Sequence, residues 1–470
     1  MRVCTALLLL CCAAVAGMEF DVIELEGPKR VSYRILRDLD GDGLDELMLV
    51  TPTEIWLWNG RKQGLRPKAD RVLKLPAGAA LFDVTDIDGT PQSREILVRT
   101  GIGWWVVPTA GDPRRLGYPA GLGLPHNSKQ ILWRQLVADM DGDGKPEVVD
   151  VSLAGYQLFY GKDEPTILPP ALRETVETTA LHANERYRQR VSIGAWVVGR
   201  FDRGPSLDFA TLDAQGLNVF PGDLEGRFSR ERSHRIHLPE AKEHRLEFVD
   251  FNGDGFMDVL AVNRPVGHAV VLMALKDWGL NDGRRLVLSV PGYMRYPVLD
   301  DLNGDGLPDL ALPYVPSPSV GDGVRIFVRS EVRIKVPLFI NRGGKTPFRR
   351  TADRVLTLPV KVRLMTETSG RLSLGGVIVV EHGGDLDGDG RRDLLVSREP
   401  ALLGIYRGVP ETLFEEKPAA TVAIPDPTEY AQIKSAAGEL NGDRRSDILV
   451  HYQGRGDRRD KLVLLLSRKK

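Results

Sequence analysis

Short apolar runs bounded by Gly, Pro, Asn and Asp recur along the whole chain. The first set comprises 33–36, 47–50, 55–58 and 71–76. Runs this short, with turn residues on both sides, are typical of strands, whereas a helix needs a longer stretch with helical periodicity. The pattern therefore predicts a unit of four strands.

The third run of this unit is the easiest to follow, because it is aliphatic or aromatic and is often followed by Gly. After 55–58 it recurs at 104–107, 156–160, 217–220, 270–273, 337–340, 402–406 and 462–466. Eight units of four strands, with a period of about fifty residues, are typical of propeller blades. The sequence therefore predicts an all-β protein, an eight-bladed β-propeller.

The N-terminal segment 20–27 alternates apolar and polar residues like a fourth strand, although it precedes the first unit. The last unit ends after its third strand, so segment 20–27 is predicted to complete the last blade and close the ring. Closure removes sheet edges that would otherwise pair with other chains. A seven-bladed ring with one decayed unit outside is the alternative. Residues 17–470 are expected to form a single propeller domain.

An acidic loop joins the first and second strands of most units. It reads Asp38-Leu-Asp-Gly-Asp-Gly-Leu-Asp-Glu46 in the first unit, and full copies begin at 139, 250, 301 and 385, with a weaker one at 439. Side-chain oxygens at positions 1, 3, 5 and 9, with the carbonyl of position 7, suit the roughly six to eight ligands of Ca²⁺. Gly at position 6 allows the sharp turn. About five to six calcium sites are therefore expected.

Hairpin turns and EF-hands are the alternatives to such a cation-binding loop. Asp/Asn-Gly hairpin turns use the same residue types, and they remain the alternative for any single copy. Turn chemistry alone does not require an acid at position 9, so five full copies favour a metal. An EF-hand is excluded, because it needs flanking helices and an acid at position 12. That position is Leu49, Ala261, Leu312 and Val396 in four copies, and only Asp150 is acidic.

Two units carry degenerate loops. Residues 86–95 begin as Asp86-Ile-Asp-Gly89 but lack the acid at position 5, which leaves a weak cation site open. Residues 200–208 keep Asp202 at position 3 and Asp208 at position 9, but position 1 is Arg200. Arg200 either replaces the metal by neutralising the two acids or belongs to a solvated turn.

The N-terminus is expected to be a signal peptide over residues 1–16. Arg2 precedes an apolar run over 3–15 that ends in the small residues 14–16. The run is shorter than the roughly 20 residues that span a bilayer, so no transmembrane segment is expected after cleavage. Cys11 and Cys12 leave a lipoprotein open as the alternative to a free secreted form. The protein is expected to be exported, either periplasmic or extracellular.

Composition adds three constraints. All three cysteines lie within 1–16, so metals rather than disulfides are expected to add rigidity. A formal net charge of −1 gives no basic field, so nucleic acid is excluded as a partner. No H-E-x-x-H, G-x-S-x-G or C-x-x-C motif is present, so no catalytic or cofactor-binding residues are predicted.

The acidic loop before an apolar strand, repeated along nearly the whole mature chain, resembles the FG-GAP and VCBS-type repeats of integrin α chains and many exported bacterial proteins. The resemblance implies a calcium-bearing propeller. It assigns as ligands Asp38, Asp40, Asp42, Leu44 and Glu46; Asp139, Asp141, Asp143, Lys145 and Glu147; Asp250, Asn252, Asp254, Phe256 and Asp258; Asp301, Asn303, Asp305, Leu307 and Asp309; Asp385, Asp387, Asp389, Arg391 and Asp393; and Glu439, Asn441, Asp443 and Asp447. The residue at position 7 contributes its carbonyl.

The chain departs from integrins in lacking their Phe-Gly and Gly-Ala-Pro cassette, so integrin-like ligand recognition is not implied. Arg455-Gly-Asp457 is expected to be a turn between the second and third strands of the last unit. Calcium-dependent polysaccharide lyases include propellers of similar appearance, and a lyase-like enzyme is the alternative function. Its basic groups would come from His126, His182 and their neighbours on the inserted loops.

Three insertions are predicted to share the face opposite the acidic loops. Segments 121–128 and 169–190 join a fourth strand to a first, and 317–337 joins a second to a third. An added hairpin is expected over 324–336 and a helix near 172–177. Long loops on a rigid scaffold usually carry binding, so a protein or glycan partner is expected on this face. The predicted function is an exported calcium-binding module or scaffold, not an enzyme.

Overall fold

The computed structural model describes residues 18–468 except for the following positions: 88–93, 110, 118–130, 141–144, 153–154, 160–165, 169–171, 180–185, 194–195, 202–205, 214–215, 224, 226, 232–233, 238–244, 264–266, 273–284, 295–296, 318, 320–321, 323–325, 327, 345, 362, 367–371, 376–379, 400, 411 and 428. The predicted signal peptide, residues 1–16, and the predicted insertion 121–128 therefore lie outside the described residues.

The strands are numbered in chain order. Among the described residues, eight sheets contain four antiparallel strands that lie side by side, and these sheets are numbered 1 to 8 in chain order. The first strand is β1 (Glu19–Leu25). Sheet 1 contains β2 (Tyr33–Arg37), β3 (Glu46–Val50), β4 (Glu54–Trp58) and β5 (Arg71–Lys74), and sheet 2 contains β6 (Ala79–Thr85), β7 (Glu95–Thr100), β8 (Gly103–Val107), β9 (Arg114–Leu116) and β10 (Leu132–Trp133). Sheet 3 contains β11 (Val137–Ala138), β12 (Glu147–Ser152), β13 (Gly155–Phe159) and β14 (Thr166–Leu168), and a separate hairpin, β15 (Leu172–Thr179) and β16 (Arg186–Ile193), follows it. Sheet 4 contains β17 (Trp196–Gly199), β18 (Asp208–Asp213), β19 (Gly216–Phe220) and β20 (His234–His237).

Sheets 5 to 8 follow the same plan. Sheet 5 contains β21 (Arg245–Val249), β22 (Asp258–Asn263), β23 (His268–Leu272) and β24 (Arg285–Ser289). Sheet 6 contains β25 (Gly292–Met294), β26 (Val298–Asp300), β27 (Asp309–Ala311), β28 (Tyr314–Pro316), β29 (Glu331–Phe339) and β30 (Arg354–Lys361), and a separate hairpin, β31 (Arg363–Thr366) and β32 (Leu372–Gly375), follows it. Sheet 7 contains β33 (Val380–Gly384), β34 (Asp393–Glu399), β35 (Leu402–Tyr406) and β38 (Ala420–Ala423), with β36 (Gly408–Val409) and β37 (Leu413–Phe414) as a separate hairpin between its last two strands. Sheet 8 contains β39 (Tyr430–Gly438), β40 (Asp447–Gly454) and β41 (Lys461–Arg468) together with β1.

Sheet 8 takes its outer strand from the other end of the chain. Its strand order is β1-β41-β40-β39, and β1 pairs antiparallel with β41 from Glu19 opposite Arg468 to Leu25 opposite Leu462. The N-terminal segment therefore occupies the fourth-strand position that its alternating pattern predicts. Within the described residues, no helix is both long enough and apolar enough to cross a membrane.

The second strand of each sheet is buried on both faces, which explains the continuous apolar runs in the sequence. In β3, Leu47 and Leu49 pack with residues of sheet 8, while Met48 and Val50 pack with residues of sheet 2. Successive side chains of a strand point to opposite faces, so each face of the sheet needs its own apolar partner. Sheet 1 is thus held between its two neighbours.

The same packing continues from sheet to sheet among the described residues. Apolar clusters join sheet 1 to 2, sheets 2, 3 and 4, sheet 4 to 5, sheet 5 to 6, sheet 6 to 7, sheet 7 to 8, and sheet 8 back to 1. The core is therefore a series of interfaces between neighbouring sheets.

The inserted segments differ from the sequence prediction. The predicted hairpin over 324–336 is wrong, because Asp322, Ile326 and Val328 are helical and β29 continues unbroken from Glu331 through the third-strand position. The predicted helix near 172–177 is also wrong, because β15 and β16 form a hairpin. A further hairpin, β31–β32, lies between sheets 6 and 7 and was not predicted.

The connections between strands lie at the two opposite ends of the strands. In an antiparallel sheet, the connections from first to second and from third to fourth strand lie at the same end, which we call the loop face. The connections from second to third strand, and from one sheet to the next, lie at the other end of the strands, which we call the insertion face. The helical residues Asp322, Ile326, Val328 and Arg329 and the hairpins β15–β16 and β31–β32 belong to insertion-face connections.

Candidate cation-binding loops

The acidic loops are numbered by sheet: loop 1 (38–46), loop 2 (86–95), loop 3 (139–147), loop 4 (200–208), loop 5 (250–258), loop 6 (301–309), loop 7 (385–393) and loop 8 (439–447). In loop 1 the side chain of Asp38 accepts hydrogen bonds from the amides of Gly41 (2.7 Å) and Gly43 (3.0 Å). Both glycines have positive φ, 79° and 86°, which a side chain would disfavour. The loop backbone therefore curls around its first carboxylate.

The curl brings carboxylates together. Asp40 and Asp42 each use Oδ1 to accept the amide two residues ahead, and this fixes their direction. Oxygens of Asp38, Asp40 and Asp42 lie within 4.8 Å of one another, and so do oxygens of Asp385, Asp387 and Asp393 in loop 7. An all-oxygen, anionic donor set of this kind fits a hard cation such as Ca²⁺. Loops 1 and 7 therefore fit the predicted ion.

The acid at position 9, or at position 10 in the longer loop 2, has a second role, which recurs in all eight loops. It is buried, and one carboxylate oxygen accepts the amide of position 2. These bonds run from Leu39 to Glu46 (2.7 Å), Ile87 to Glu95 (3.0 Å), Met140 to Glu147 (2.6 Å), Phe201 to Asp208 (2.8 Å), Phe251 to Asp258 (2.9 Å), Leu302 to Asp309 (2.9 Å), Leu386 to Asp393 (2.8 Å) and Leu440 to Asp447 (3.0 Å).

The other oxygen of this acid holds the end of the third strand. It accepts an amide from Gly60 in sheet 1 (3.3 Å), Gly222 in sheet 4 (3.3 Å), Asn341 in sheet 6 (2.7 Å), Gly408 in sheet 7 (2.9 Å) and Ser467 in sheet 8 (2.7 Å). We call this two-sided contact the position-9 clamp. It joins the acidic loop to the neighbouring connection of the same sheet.

The clamp changes the meaning of the acid at position 9. Asp208 makes both bonds in loop 4, where Arg200 stands at position 1. An acid at position 9 therefore does not by itself indicate a metal, because it also accepts two backbone amides of its own sheet. Burial, together with the nearby loop carboxylates, raises the pKa of Asp393 to about 7 although two backbone amides oppose the shift. A cation in loop 7 would offset that repulsion.

Loops 5 and 6 contain Asn at position 3, so the repulsion between negative charges is weaker in them than in loop 1. The amide nitrogen of Asn252 donates to Asp254 (3.0 Å), and that of Asn303 donates to Asp305 (2.9 Å). A neutral amide thus faces the carboxylate at position 5, and among positions 1, 3, 5 and 9 each loop carries one fewer negative charge than loop 1. Their oxygens still fit a cation, with weaker attraction.

Loop 8 satisfies its polar groups within the protein. The amide of Asn441 is buried and donates to the carbonyl of Ser467 (3.1 Å), while the Ser467 hydroxyl donates to Asp447 (2.9 Å). Arg444 occupies position 6 with φ of 67°, where the full copies have Gly. Because the inward side chains already have hydrogen-bond partners, loop 8 fits a cation less well than loop 1.

Loops 2, 3 and 4 are described only in part. Asp141 and Asp143 of loop 3 lie outside the described residues, as do Asp202 of loop 4 and residues 88–93 of loop 2. The guanidinium of Arg200 lies over the ring of Phe256 at 5.2 Å, and the Arg200 carbonyl accepts the amide of Met257 (2.6 Å). Arg200 therefore contacts loop 5 of the next sheet.

Neighbouring loops cover one another along the loop face. The side chain at position 7 lies over the Gly at position 4 of the preceding loop: Leu307 over Gly253, Arg445 over Gly388 and Leu44 over Gly442. Loop 8 is also bonded to sheet 1, because the amide of Asp45 donates to the carbonyl of Glu439 (2.7 Å). The loops thus follow one another from sheet to sheet, including from sheet 8 to sheet 1.

Two buried polar clusters were missed by the sequence analysis. Arg99 and Asp150 form a fully buried ion pair (2.6 Å) between β7 and β12. Buried His451 lies 2.9 Å from Asp460, which also accepts the amide of Val31 (2.9 Å) and so ties the segment after β1 to sheet 8. The pair of Arg99 and Asp150 could have been suspected from the sequence, because Asp150 is an acid at position 12 of loop 3, where the other full copies are apolar. No spacing rule would have indicated the pair of His451 and Asp460.

Solved structures of several proteins share distant similarity with the chain. BBS1N, from a crystal structure in complex with ARL6DN soaked with mercury, is 10% identical with a TM-score of 0.43, and the match covers 98% of each chain. A lectin of Agrocybe aegerita that recognises non-reducing terminal N-acetylglucosamine is 13% identical with a TM-score of 0.41, over 85% of this chain and 98% of that one.

The sequence comparisons give one family match. No curated protein matches the chain. The model of the FG-GAP-like repeat matches residues 250–312, which contain loops 5 and 6 and the two strands that follow them, β22 and β27. This agrees with the resemblance drawn from the acidic loops, and residues 250–312 of the chain are similar to the FG-GAP-like repeat.

Proposed function

We propose that the protein is an exported, calcium-binding β-propeller of eight blades that acts as a binding module. Sheets 1 to 8 are its blades, and β1 closes the ring through its pairing with β41. The apolar cluster that joins sheet 8 to sheet 1, and the bond from Asp45 to Glu439, support closure. Calcium in the full acidic loops stiffens the loop face.

The partner contacts the insertion face, and exposed apolar side chains are the observation that carries this proposal. Ile102 is 72% exposed and Val328 is 76% exposed, and both lie in connections between a second and a third strand. Tyr293 (48% exposed) and Trp133 (37%) lie in connections between successive sheets. The other exposed large apolar side chains of the described residues, Val22, Val72, Ile167, Val287 and Val355, lie on fourth strands, and Ile102 and Val328 are the most exposed of the whole group. Exposed apolar groups mark interaction surfaces. Because Ile102 and Val328 are aliphatic, they favour a protein over a glycan.

Site-specific crosslinking tests the face. A photoreactive residue is placed at Ile102 or Val328, and, as a matched control on the loop face, at the exposed Lys62, which lies between the third and fourth strands of sheet 1 and is not a proposed metal ligand. Crosslinking in the native host is expected to give the same protein adduct from both insertion-face positions and none from position 62. An adduct from position 62 alone would place binding on the loop face. A glycan adduct from the insertion face would overturn the choice of a protein partner.

Export is tested separately by expressing the full-length sequence and measuring the mass of the protein that is recovered. Removal of residues 1–16 would leave a chain beginning at Gly17 in the periplasm or medium. An unprocessed chain confined to the cytoplasm would contradict the proposal.

A further inference from the structure

A charged cavity of about 460 Å³ lies on the loop face between sheets 7 and 8. Three acids and three arginines line it: Asp387, Asp389, Glu415, Arg391, Arg407 and Arg445. Its formal charge is therefore zero as it stands. The volume falls within the range of small-molecule sites, roughly 300–1,000 Å³.

Two of the arginines contact acids of loop 7. Arg407 Nε lies 2.9 Å from Oδ2 of Asp387, and Arg391 Nη2 lies 3.0 Å from Oδ2 of Asp389. In loop 1 the converging carboxylates are at positions 1, 3 and 5, whereas in loop 7 they are at positions 1, 3 and 9. Asp389, at position 5, lies against Arg391 instead.

This arginine cluster is peculiar to loops 7 and 8. Arg407 follows directly on the third strand of its sheet and precedes Gly408, which donates to the position-9 clamp. The matched residues are Asn59 in sheet 1, Pro221 in sheet 4, Ile340 in sheet 6 and Leu466 in sheet 8, all uncharged. At position 7, loops 1, 5 and 6 carry Leu or Phe and loop 3 carries Lys145, whereas loops 7 and 8 carry Arg391 and Arg445. The sheet repeat alone does not explain the arginines.

We propose that this cavity binds a small carboxylate ligand, the size of one sugar acid, and does so when loop 7 holds a divalent cation. The inference rests on the calcium binding proposed above. A cation in loop 7 draws Asp387 and Asp389 toward itself, so Arg407 and Arg391 turn from those acids to the cavity. The formal charge of the lining and ion together rises from zero to +2. Guanidinium groups bind carboxylates in a bidentate manner, which makes a carboxylate the matching ligand.

The coupling must be reciprocal, because each ligand changes the affinity for the other by the same factor. Titration calorimetry of the full chain with sodium glucuronate is run in excess Ca²⁺ and in EDTA, with glucose and sulfate as comparison ligands. Binding of glucuronate is expected to be roughly tenfold tighter or more with Ca²⁺, within the usual range of such couplings. Equal affinity in EDTA overturns the coupling, and a preference for sulfate or glucose overturns the carboxylate.

Arg407→Ala separates this inference from simple loss of fold. It removes the positive partner of Asp387, so loop 7 is expected to bind Ca²⁺ more tightly while glucuronate affinity falls roughly tenfold, about the loss of one charge-assisted contact. Arg342→Ala is the matched control, because Arg342 also follows a third strand and pairs with an acid, Asp353 (2.6 Å), but does not line the cavity. It should change neither affinity.

Calcium binding is measured independently by equilibrium dialysis, so the two proposals fail in different ways. A chain that binds Ca²⁺ but shows no glucuronate heat overturns this inference and leaves the proposed calcium binding standing. A chain that binds no Ca²⁺ overturns both. If Arg407→Ala and Arg342→Ala weaken glucuronate binding equally, the cavity assignment is wrong.

Discussion

Replacing Asp309 with alanine separates the position-9 clamp from metal binding. Asp309 is fully buried and accepts amides from Leu302 (2.9 Å) and Asn341 (2.7 Å). Each buried amide left without an acceptor costs about 1–3 kcal/mol, which gives about 2–6 kcal/mol for both. Burial raises the pKa of Asp309 to about 6, so removing the carboxylate also relieves a desolvation cost. We therefore expect a loss near the lower end, about 2–3 kcal/mol.

The measurement is urea denaturation in EDTA, followed by fluorescence, so that metal makes no contribution. Asp305→Ala, at position 5 of the same loop, is the matched control. Asp305 is exposed and bonds within the loop to Leu307 and Asn303, so its removal should cost less than about 1 kcal/mol without metal. In excess Ca²⁺ both variants should lose the stabilisation that the ion supplies.

Loop 4 provides a second check, because Asp208→Ala breaks the same clamp where position 1 is Arg200. Its destabilisation should be of similar size with and without Ca²⁺. If Asp309→Ala proved no more harmful in EDTA than Asp305→Ala, the clamp would not be a structural element, and the acid at position 9 would have to be explained by the metal alone.

Three further predictions follow from the buried contacts. A chain beginning at Lys29 lacks β1, so β41 becomes an exposed edge and the protein should aggregate; a stable monomer in gel filtration would contradict ring closure. Arg99→Ala removes the guanidinium that pairs with the buried Asp150, so thermal unfolding should show a loss of about 3–5 kcal/mol, and a loss below about 1 kcal/mol would refute the prediction. Burial lowers the pKa of His451 from 6.5, so the unfolded state takes up the proton first and stability should fall as the pH drops through about 6.5; His451→Gln should flatten that dependence.

The repeat made much of the strand pattern predictable. Alternate residues of 47–50 pack on different sheets, so the second strand must be apolar throughout, and such runs are easily found in a sequence. The pairing of β1 with β41 was also predictable, because an unpaired fourth strand at one end matched a missing one at the other.

The insertions were not predictable in the same way. Residues 324–328 alternate like a strand, yet Ile326 and Val328 are helical and β29 begins only at Glu331, because this segment has no sheet position to fill. The clamp was missed for a different reason. The amide that Asp309 accepts, for example, belongs to Asn341, which lies beyond the third strand of the same sheet. Almost any residue type can supply a backbone amide, so the amino-acid sequence does not mark the partner.

The number of calcium ions bound per chain tests the central claim most directly. Equilibrium dialysis of the full chain against ⁴⁵Ca²⁺ is expected to give five sites, one for each full acidic loop, with weaker binding in loops 5 and 6, which have Asn at position 3. Loop 8 is not counted, since it already satisfies its inward side chains. A chain that binds no calcium would contradict the account, and the acidic loops would then be hairpin turns held by the position-9 clamp alone.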